Sequence, residues 1–149
     1  MSLTNSDMLD GGRRLPLVED FYTIQGEGYH TGKPAYFIRL GGCDVGCRWC
    51  DAKYTWNPKV FPPVDVDEVV NRAKACAAQA IVITGGEPLA QAAFTLALAK
   101  AAKAEKISVA VETSGFGKAE DILALVPFCD LFLFDCKASS ADHKALIGV

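Results

Sequence analysis

The chain lacks several features that would place it in a class at once. No hydrophobic run approaches the roughly 20 residues of a membrane-spanning helix. The 15 Lys and Arg residues are scattered and form no basic block of the kind that binds nucleic acid. The opening stretch MSLTNSDMLDGGRR has no apolar core, unlike a secretory signal. We therefore expect a cytosolic protein that binds neither membranes nor nucleic acid.

The composition is that of an ordinary globular chain. Half of the 149 residues are hydrophobic, 22% are charged, and the formal net charge is −3. We expect a polar leader over residues 1–15 and one domain over 16–149, which stops short of the strands needed to close a barrel of the usual size. The 6 cysteines would be reduced in the cytosol, which favours metal ligands or catalytic groups over disulfides.

The hydrophobic pattern predicts alternating strands and helices. Val18–Tyr22 and Ala35–Leu40 are expected to be strands on either side of the loop QGEGYHTGKP. An amphipathic helix begins at Asp65, which resembles the cap of a capping box with Glu68 as its reciprocal partner. Strand, loop and helix then repeat through AIVITGG, ISVAVETSG and LFLFD, and a last helix is expected to begin in ADHKAL. This order predicts an α/β fold of parallel strands with helices outside, in which the loops that follow the strands share one rim.

The stretch GGCDVGCRWCDAKYTW carries three of the cysteines in the spacing C-x3-C-x2-C, at Cys43, Cys47 and Cys50. Three thiolates can hold a [4Fe–4S] cluster and leave one iron open to a small molecule. The alternative is a zinc-binding module, which wants a fourth ligand, and His30 is the nearby candidate. Cys76, Cys129 and Cys136 are predicted to be small core residues.

With Trp49 before its last cysteine and TGGEP at 84–88 after the next strand, this loop resembles the radical S-adenosylmethionine superfamily. The resemblance implies a partial (β/α)6 barrel, a [4Fe–4S] cluster on the three cysteines, and S-adenosylmethionine bound at the open iron. An electron from the cluster would cleave S-adenosylmethionine to methionine and a 5′-deoxyadenosyl radical. Gly85 and Gly86 would let the backbone approach that ligand closely.

Residues 16–56 resemble the 7-carboxy-7-deazaguanine synthases of queuosine biosynthesis, through QGEG, Arg39 and CRWCD. The resemblance implies a carbon–nitrogen lyase that converts 6-carboxy-5,6,7,8-tetrahydropterin to 7-carboxy-7-deazaguanine and releases ammonia. It also implies that magnesium assists, that the protein is a homodimer, and that an electron donor such as flavodoxin supplies the reductant.

The site residues follow by position in these families. The resemblance to the synthases implies that substrate is bound by Ile24, Gln25, Gly26, Glu27, Arg39 and Thr84. The cofactor-binding positions implied for S-adenosylmethionine are Trp49, Cys50, Asp51, Gly85, Gly86, Glu112, Thr113, Ser114, Asp135 and Lys137. A charge within the apolar strand that holds Arg39 needs an anionic partner, which is either the substrate carboxylate or a structural ion pair with Glu27.

The sequence departs from the synthase pattern at two places. Ala52 stands where the family has a Thr or Ser whose hydroxyl binds magnesium. Alanine has no side-chain oxygen, so we assign no protein ligand to magnesium. From Leu89 onward the chain looks more like the activating enzymes of glycyl-radical enzymes, which makes such an oxidoreductase the alternative function. The front segment decides our preference for the synthase, because it carries the implied substrate contacts.

Overall fold

A computed structural model describes residues 12–136 of the chain. The strands are β1 (Arg14–Ile24), β2 (Pro34–Leu40), β3 (Pro63–Asp65), β4 (Ala80–Gly85), β5 (Ser108–Thr113) and β6 (Leu131–Phe134). The helices are α1 (Val66–Ala75), α2 (Ala92–Ala104) and α3 (Ala119–Leu125), and 3-10 turns cover Lys53–Thr55, Pro58–Val60, Pro88–Gln91 and Val126–Phe128. The sheet begins at Arg14, within the segment predicted as a leader. No helix in this part of the chain could cross a membrane.

The strands form one six-stranded sheet in the order β3-β1-β2-β4-β5-β6. Strands β2, β4, β5 and β6 are parallel, whereas β1 runs antiparallel to both β2 and β3. The parallel part and its connecting helices confirm the predicted α/β fold, which is consistent with a partial barrel. The antiparallel pairing of β1 and β2 places the loop QGEG at the end of a long hairpin, opposite the end of β2 that leads into the cysteine loop.

The core lies between one face of the sheet and the helices. Ile38, Ile81 and Val109 point to this face and are 0% exposed, and they pack with Phe94 and Leu98 of α2. Each such side chain contributes about 1.5–3 kcal/mol when it is fully buried. The opposite face carries a much smaller apolar cluster, formed by Ala35, Val82 and Ala110. Helices therefore fix the sheet from one side and leave the other side for loops and ligands.

Helix α1 begins as the sequence predicts, with Asp65 as its N-cap. The Asp65 carboxylate accepts a hydrogen bond of 2.8 Å from the Asp67 amide. The expected reciprocal partner, Glu68, instead pairs with Arg72 one turn along the helix. Arg72 also reaches Asp20 of β1, and the buried Tyr36 hydroxyl donates to the same carboxylate at 2.7 Å. Burial raises the pKa of Tyr36, and the bond to Asp20 raises it further.

The structure corrects the prediction for two cysteines. Cys76 is exposed because α1 ends at Ala75 and the backbone turns at Ala77, which has a φ of 53°. Cys136 is also exposed, since it follows the edge strand β6 and lines a cleft. Cys129 is half-buried and packs against the core, as predicted. The predicted helix start in ADHKAL and the residue Lys137 lie outside the described residues.

Candidate active site

A cleft of about 720 Å³ lies at the carboxyl ends of the parallel strands. Its volume falls in the range of small-molecule sites, and such folds bind ligands at this edge. The cysteine loop, the TGGEP turn after β4, the end of β5 and the end of β6 all contribute to its lining. These segments are far apart in sequence, and the parallel sheet brings their side chains together at one edge.

The cysteine loop brings Cys43, Cys47 and Cys50 to the lining of this cleft, and none of the three is in a disulfide. The Cys43 amide donates to the Trp56 carbonyl at 3.3 Å, and the Cys50 amide donates to the Cys47 carbonyl at 3.2 Å. Burial raises the pKa of Cys43, although the backbone amides of Val45 and Gly46 donate to its sulfur and counteract part of the rise. A buried sulfur that accepts hydrogen bonds from two backbone amides is stabilised as a thiolate, which is the form that binds a metal.

Zinc fits this loop less well. Within residues 12–136, no group of three or more His, Cys, Asp or Glu side chains is placed to hold a single metal ion. A zinc site needs its ligand atoms about 2.0–2.3 Å from one metal. The three cysteines share the lining of the cleft without being placed around a single ion.

The glycines of the TGGEP turn are required by close backbone contacts. A methyl group at Gly86 would lie 2.2 Å from the Gly42 carbonyl oxygen and 2.7 Å from the β-carbon of Cys43. Gly85 has a φ of +136°, and a methyl group there would lie 2.2 Å from the Leu40 carbonyl oxygen. The turn is also hydrogen-bonded to this passage, through the Gly86 amide to Leu40 and the Glu87 amide to Gly42. It therefore supports the first cysteine directly.

Glu87 is a site residue that sequence analysis missed. It is 2% exposed and lines the cleft. Its Oε1 accepts from the Leu89 amide at 3.0 Å and the Thr113 hydroxyl at 2.5 Å, and its Oε2 accepts from the Ser114 amide at 3.0 Å and hydroxyl at 2.6 Å. One carboxylate thus joins the turn after β4 to the end of β5. The signal for this role in the sequence is the charge of Glu87 within the otherwise uncharged stretch TGGEPLA.

Arg39 lines the cleft, and its ion pair differs from the one considered as the alternative to a substrate contact. Its Nε donates to Glu19 Oε1 at 2.8 Å, because these two residues are paired across β1 and β2. Glu27, the partner in that alternative, also lines the cleft but is exposed. The bond to Glu19 uses one of the five N–H donors of the guanidinium. The remaining donors can serve a ligand.

Gln25 joins the QGEG loop to the cleft without lining it. It is 3% exposed, and its Nε2 donates to Glu112 Oε1 at 3.2 Å, while its Oε1 accepts from the Glu27 amide at 3.1 Å. Glu112 itself lines the cleft. Ile24 and Gly26 are exposed and do not line the cleft, so the structure does not bring them to the other predicted residues.

Most of the predicted residues within the described range meet in this one cleft. Those that line it are Glu27, Arg39, Cys43, Cys47, Trp49, Cys50, Asp51, Thr84, Gly85, Gly86, Glu112, Thr113, Ser114 and Asp135. Besides Glu87, sequence analysis missed the aromatic and apolar lining residues Trp56, Phe132, Leu133 and Phe134. Their short hydrophobic pattern predicted only strand or loop, and their position in the cleft depends on tertiary packing.

The residues present fit an iron–sulfur cluster and a small polar ligand beside it. The donor set is three cysteines outside any disulfide, and Gly85 and Gly86 let the turn after β4 pack against the backbone at Leu40 and Gly42. The indole Nε1 of Trp56 is buried and has no hydrogen-bond partner among the described residues. The fold and this donor set are those of an α/β protein with a metal–thiolate site.

The chain belongs to the radical SAM superfamily, because the model of that family matches residues 37–149. Its curated relatives include the 7-carboxy-7-deazaguanine synthase of Flavobacterium psychrophilum, 54% identical over 107 residues, which are 72% of this chain and 50% of that protein. The synthase of Pyrobaculum aerophilum is 41% identical over 134 residues, covering 89% of this chain and 59% of the relative.

A solved structure supports the same relationship. The crystal structure of QueE from Escherichia coli superposes with a TM-score of 0.70 at 29% identity, covering 91% of this chain and 65% of that one. The chain spans about half the length of the curated relatives it matches. The fold and the superfamily are therefore shown, and the similarity to the synthases extends well beyond the cysteine loop.

Proposed function

We propose that the protein is a carbon–nitrogen lyase of the 7-carboxy-7-deazaguanine synthase type. It would convert 6-carboxy-5,6,7,8-tetrahydropterin to 7-carboxy-7-deazaguanine with loss of ammonia. The observation that carries the proposal is that Arg39 and Glu27 of the implied substrate set line the same cleft as the three cysteines. A cation for a carboxylate and an acceptor for guanine-like N–H groups thus lie beside the cluster-binding loop.

The relatives favour the synthase over a glycyl-radical activating enzyme. The alignment with the Pyrobaculum synthase covers 89% of this chain, so it includes part of the region that resembles the activases. The front segment alone therefore does not carry the resemblance. The cleft residues of the back half, Glu112 and Thr113, can bind S-adenosylmethionine in either family.

The cofactors divide between two parts of the cleft. Cys43, Cys47 and Cys50 would hold a [4Fe–4S] cluster, and the Gly85-Gly86 backbone with the β5 end would hold S-adenosylmethionine. When bound, the pair would supply the radical chemistry of the superfamily, which is one-electron cleavage of S-adenosylmethionine. The chain's own residues would orient the pterin beforehand, and the apolar side chains of Leu133 and Phe132 would limit access of water to it.

Arg39 is proposed to bind the substrate carboxylate. Its side chain is 24% exposed and is held by Glu19 through Nε, which fixes the guanidinium in the cleft. A charge-assisted contact of this kind contributes about 1.5–3 kcal/mol. The ion pair with Glu19 is compatible with this role, because it leaves further donors free to meet a carboxylate.

Magnesium has no evident side-chain ligand at the position the family uses. Ala52 lines the cleft without a side-chain oxygen, and its carbonyl accepts from both the amide and the hydroxyl of Thr55. Thr55 is fully buried and does not line the cleft, so its hydroxyl cannot substitute. We propose that any ion is held by substrate oxygens and water, and we expect Ala52→Thr to increase the stimulation of turnover by magnesium. An unchanged response would show that the ion does not use this position.

The partners are also part of the proposal. Radical generation needs one electron per activation, which a flavodoxin-type donor would supply, and the reducing cytosol would keep the six cysteines as thiols. A homodimer follows from the resemblance, and sedimentation of the anaerobic protein would test it.

The experiment combines reduced, reconstituted protein with S-adenosylmethionine and 6-carboxytetrahydropterin under anaerobic conditions. We expect the deazaguanine product and ammonia in equal amounts. Arg39→Ala should weaken substrate affinity about ten- to a hundredfold, with the iron content unchanged. Arg13→Ala is the matched control, since Arg13 is exposed and pairs with Asp67 outside the cleft. Absence of product, together with radical formation on a glycyl-radical partner, would replace the synthase by the activase.

A further inference from the structure

Leu133 of β6 lines two cavities at once. One is the large cleft, and the other is a cavity of about 250 Å³ on the face of the sheet that the helices leave open. Small side chains from three neighbouring strands line the second cavity, at Ala35, Ala80, Ser108 and Ala110. Because it belongs to both linings, the Leu133 side chain stands between the two cavities.

A hydrogen bond adds to this partition between the cavities. Gln25 lines the second cavity, and its Nε2 donates at 3.2 Å to Glu112 Oε1, which belongs to the cleft. Glu112 and Leu133 are partners in the ladder between β5 and β6. The QGEG loop packs at the same place, since a β-carbon at Gly28 would lie 2.3 Å from Leu133 Cδ2. The partition therefore includes one amide–carboxylate bond and one leucine side chain.

The partition lies at one end of a row of side chains across the sheet. The strand register places Arg39 beside Thr84, and the row continues through Glu112 to Leu133. Four neighbouring strands span about 14 Å, because adjacent strands lie about 4.8 Å apart. Arg39, which is proposed to bind the substrate carboxylate, is at one end, and Glu27, the proposed acceptor for ring N–H groups, belongs to the loop that contacts Leu133 at the other. A pterin bound in this way extends along the row toward Leu133.

We propose that Leu133 is a specificity-determining residue, which limits the length of the pterin carboxylate that the cleft can hold. With the ligand carboxylate on Arg39, the Leu133 side chain keeps the far end of a longer ligand out of the second cavity. The ligands excluded are those in which a spacer separates the carboxylate from the pterin ring. The inference rests on the proposed function, because it takes the contact between Arg39 and the carboxylate as its starting point.

Binding of two unreactive ligands tests this role. The first is 6-carboxypterin, the aromatic form of the proposed substrate, and the second is pteroic acid, in which an aminobenzoate arm carries the carboxylate away from the same ring. Calorimetry measures both affinities on the reconstituted protein with S-adenosylmethionine and without reductant. Leu133→Ala shortens the side chain in the partition. Leu131→Ala is the matched control, since Leu131 lies two residues earlier on the same strand and lines the second cavity but not the cleft.

We expect Leu133→Ala to bind pteroic acid about tenfold more tightly than the wild type does, and to change the affinity for 6-carboxypterin by less than about threefold. Leu131→Ala should leave the ratio of the two affinities unchanged. Leu133→Val removes only one carbon, and it should shift the ratio in the same direction by about threefold.

Iron per chain and the urea midpoint are measured for every variant, and Leu133→Val decides the matter if Leu133→Ala does not fold. An unchanged ratio in a folded Leu133 variant, or an equal shift in Leu131→Ala, would overturn the inference while leaving the proposed function in place. A wild-type protein that binds no 6-carboxypterin would overturn the proposed function, and the inference with it.

Discussion

Removing the buried carboxylate of Glu87 should destabilise the protein more than removing any exposed acid. Glu87 is 2% exposed and accepts four hydrogen bonds, from the Leu89 amide, the Thr113 hydroxyl, and the amide and hydroxyl of Ser114. At about 1.5 kcal/mol for each bond to a charged acceptor, the four bonds together contribute about 6 kcal/mol. Water that enters the space left by Glu87→Ala restores part of this, so we expect a loss of about 3–5 kcal/mol.

Glu87→Gln tests the two carboxylate oxygens individually, because it replaces one of them by an NH2 group. The amide keeps one acceptor for Leu89 and Thr113, but its NH2 group faces the Ser114 amide, which is itself a donor and cannot reverse its role. The Ser114 hydroxyl can rotate and accept instead. The Ser114 amide thus loses its acceptor and faces another donor, which should lower the free energy of unfolding by about 1–3 kcal/mol.

Urea unfolding of the metal-free protein, followed by tryptophan fluorescence, measures these changes in the free energy of unfolding. Glu105→Gln is the control, because Glu105 is exposed and makes a surface ion pair with Lys74 that should contribute no more than about 1 kcal/mol. If Glu87→Gln and Glu105→Gln shifted the midpoint equally, the carboxylate would not join the two loops as described.

Three further predictions concern the turn, a buried thiol and a surface acid. Gly86→Ala would put a methyl group 2.2 Å from a main-chain oxygen of the cysteine loop, so we expect it to lose most bound iron, whereas Gly26→Ala, with nothing within 4 Å, should keep it. Burial, and after it the charge of Asp130, raises the pKa of Cys129 to about 11. Iodoacetamide at pH 8 should therefore alkylate Cys129 at least tenfold more slowly than the exposed Cys76, as measured by mass spectrometry. Equal rates would contradict the burial of Cys129. Burial acts to raise the pKa of Asp130, but bonds from a lysine, a backbone amide and a serine outweigh it and lower the pKa. The folded state should therefore gain stability from this carboxylate above its unfolded pKa, near 3.9, and lose it as the pH falls through the lower folded value. The difference in urea midpoint between wild type and Asp130→Asn should be constant above about pH 5 and shrink toward pH 3; a difference independent of pH would refute this.

Local patterns in the sequence predicted five of the six strands, the three helices that the structure describes and the rim on which the site lies. The cap at Asp65, the apolar stripe of α1 and the strand IVIT depend on neighbours within a few residues, and the structure confirms each of them. Cys76 shows the limit of such reasoning. It continues the apolar periodicity of α1, but the helix ends one residue earlier and leaves the thiol exposed.

Contacts between strands distant in sequence could not be predicted. The pairing of Arg39 with Glu19 depends on the register of β1 against β2, which a bulge between Leu17 and Glu19 shifts. A one-residue change of register would reverse which side chains face the cleft. The role of Glu87 likewise depends on where β5 ends, because its partners are 26 and 27 residues away.

The bond between Gln25 and Glu112 limits how this protein could be recombined with its relatives. Gln25 belongs to the segment that resembles the synthases, and Glu112 belongs to the segment in which the resemblance to activases was seen. If the QGEG hairpin were grafted onto another member of the superfamily, the buried Gln25 amide would lose its acceptor unless a carboxylate at the position of Glu112 were also present. A change at either Gln25 or Glu112 would therefore call for a matching change at the other.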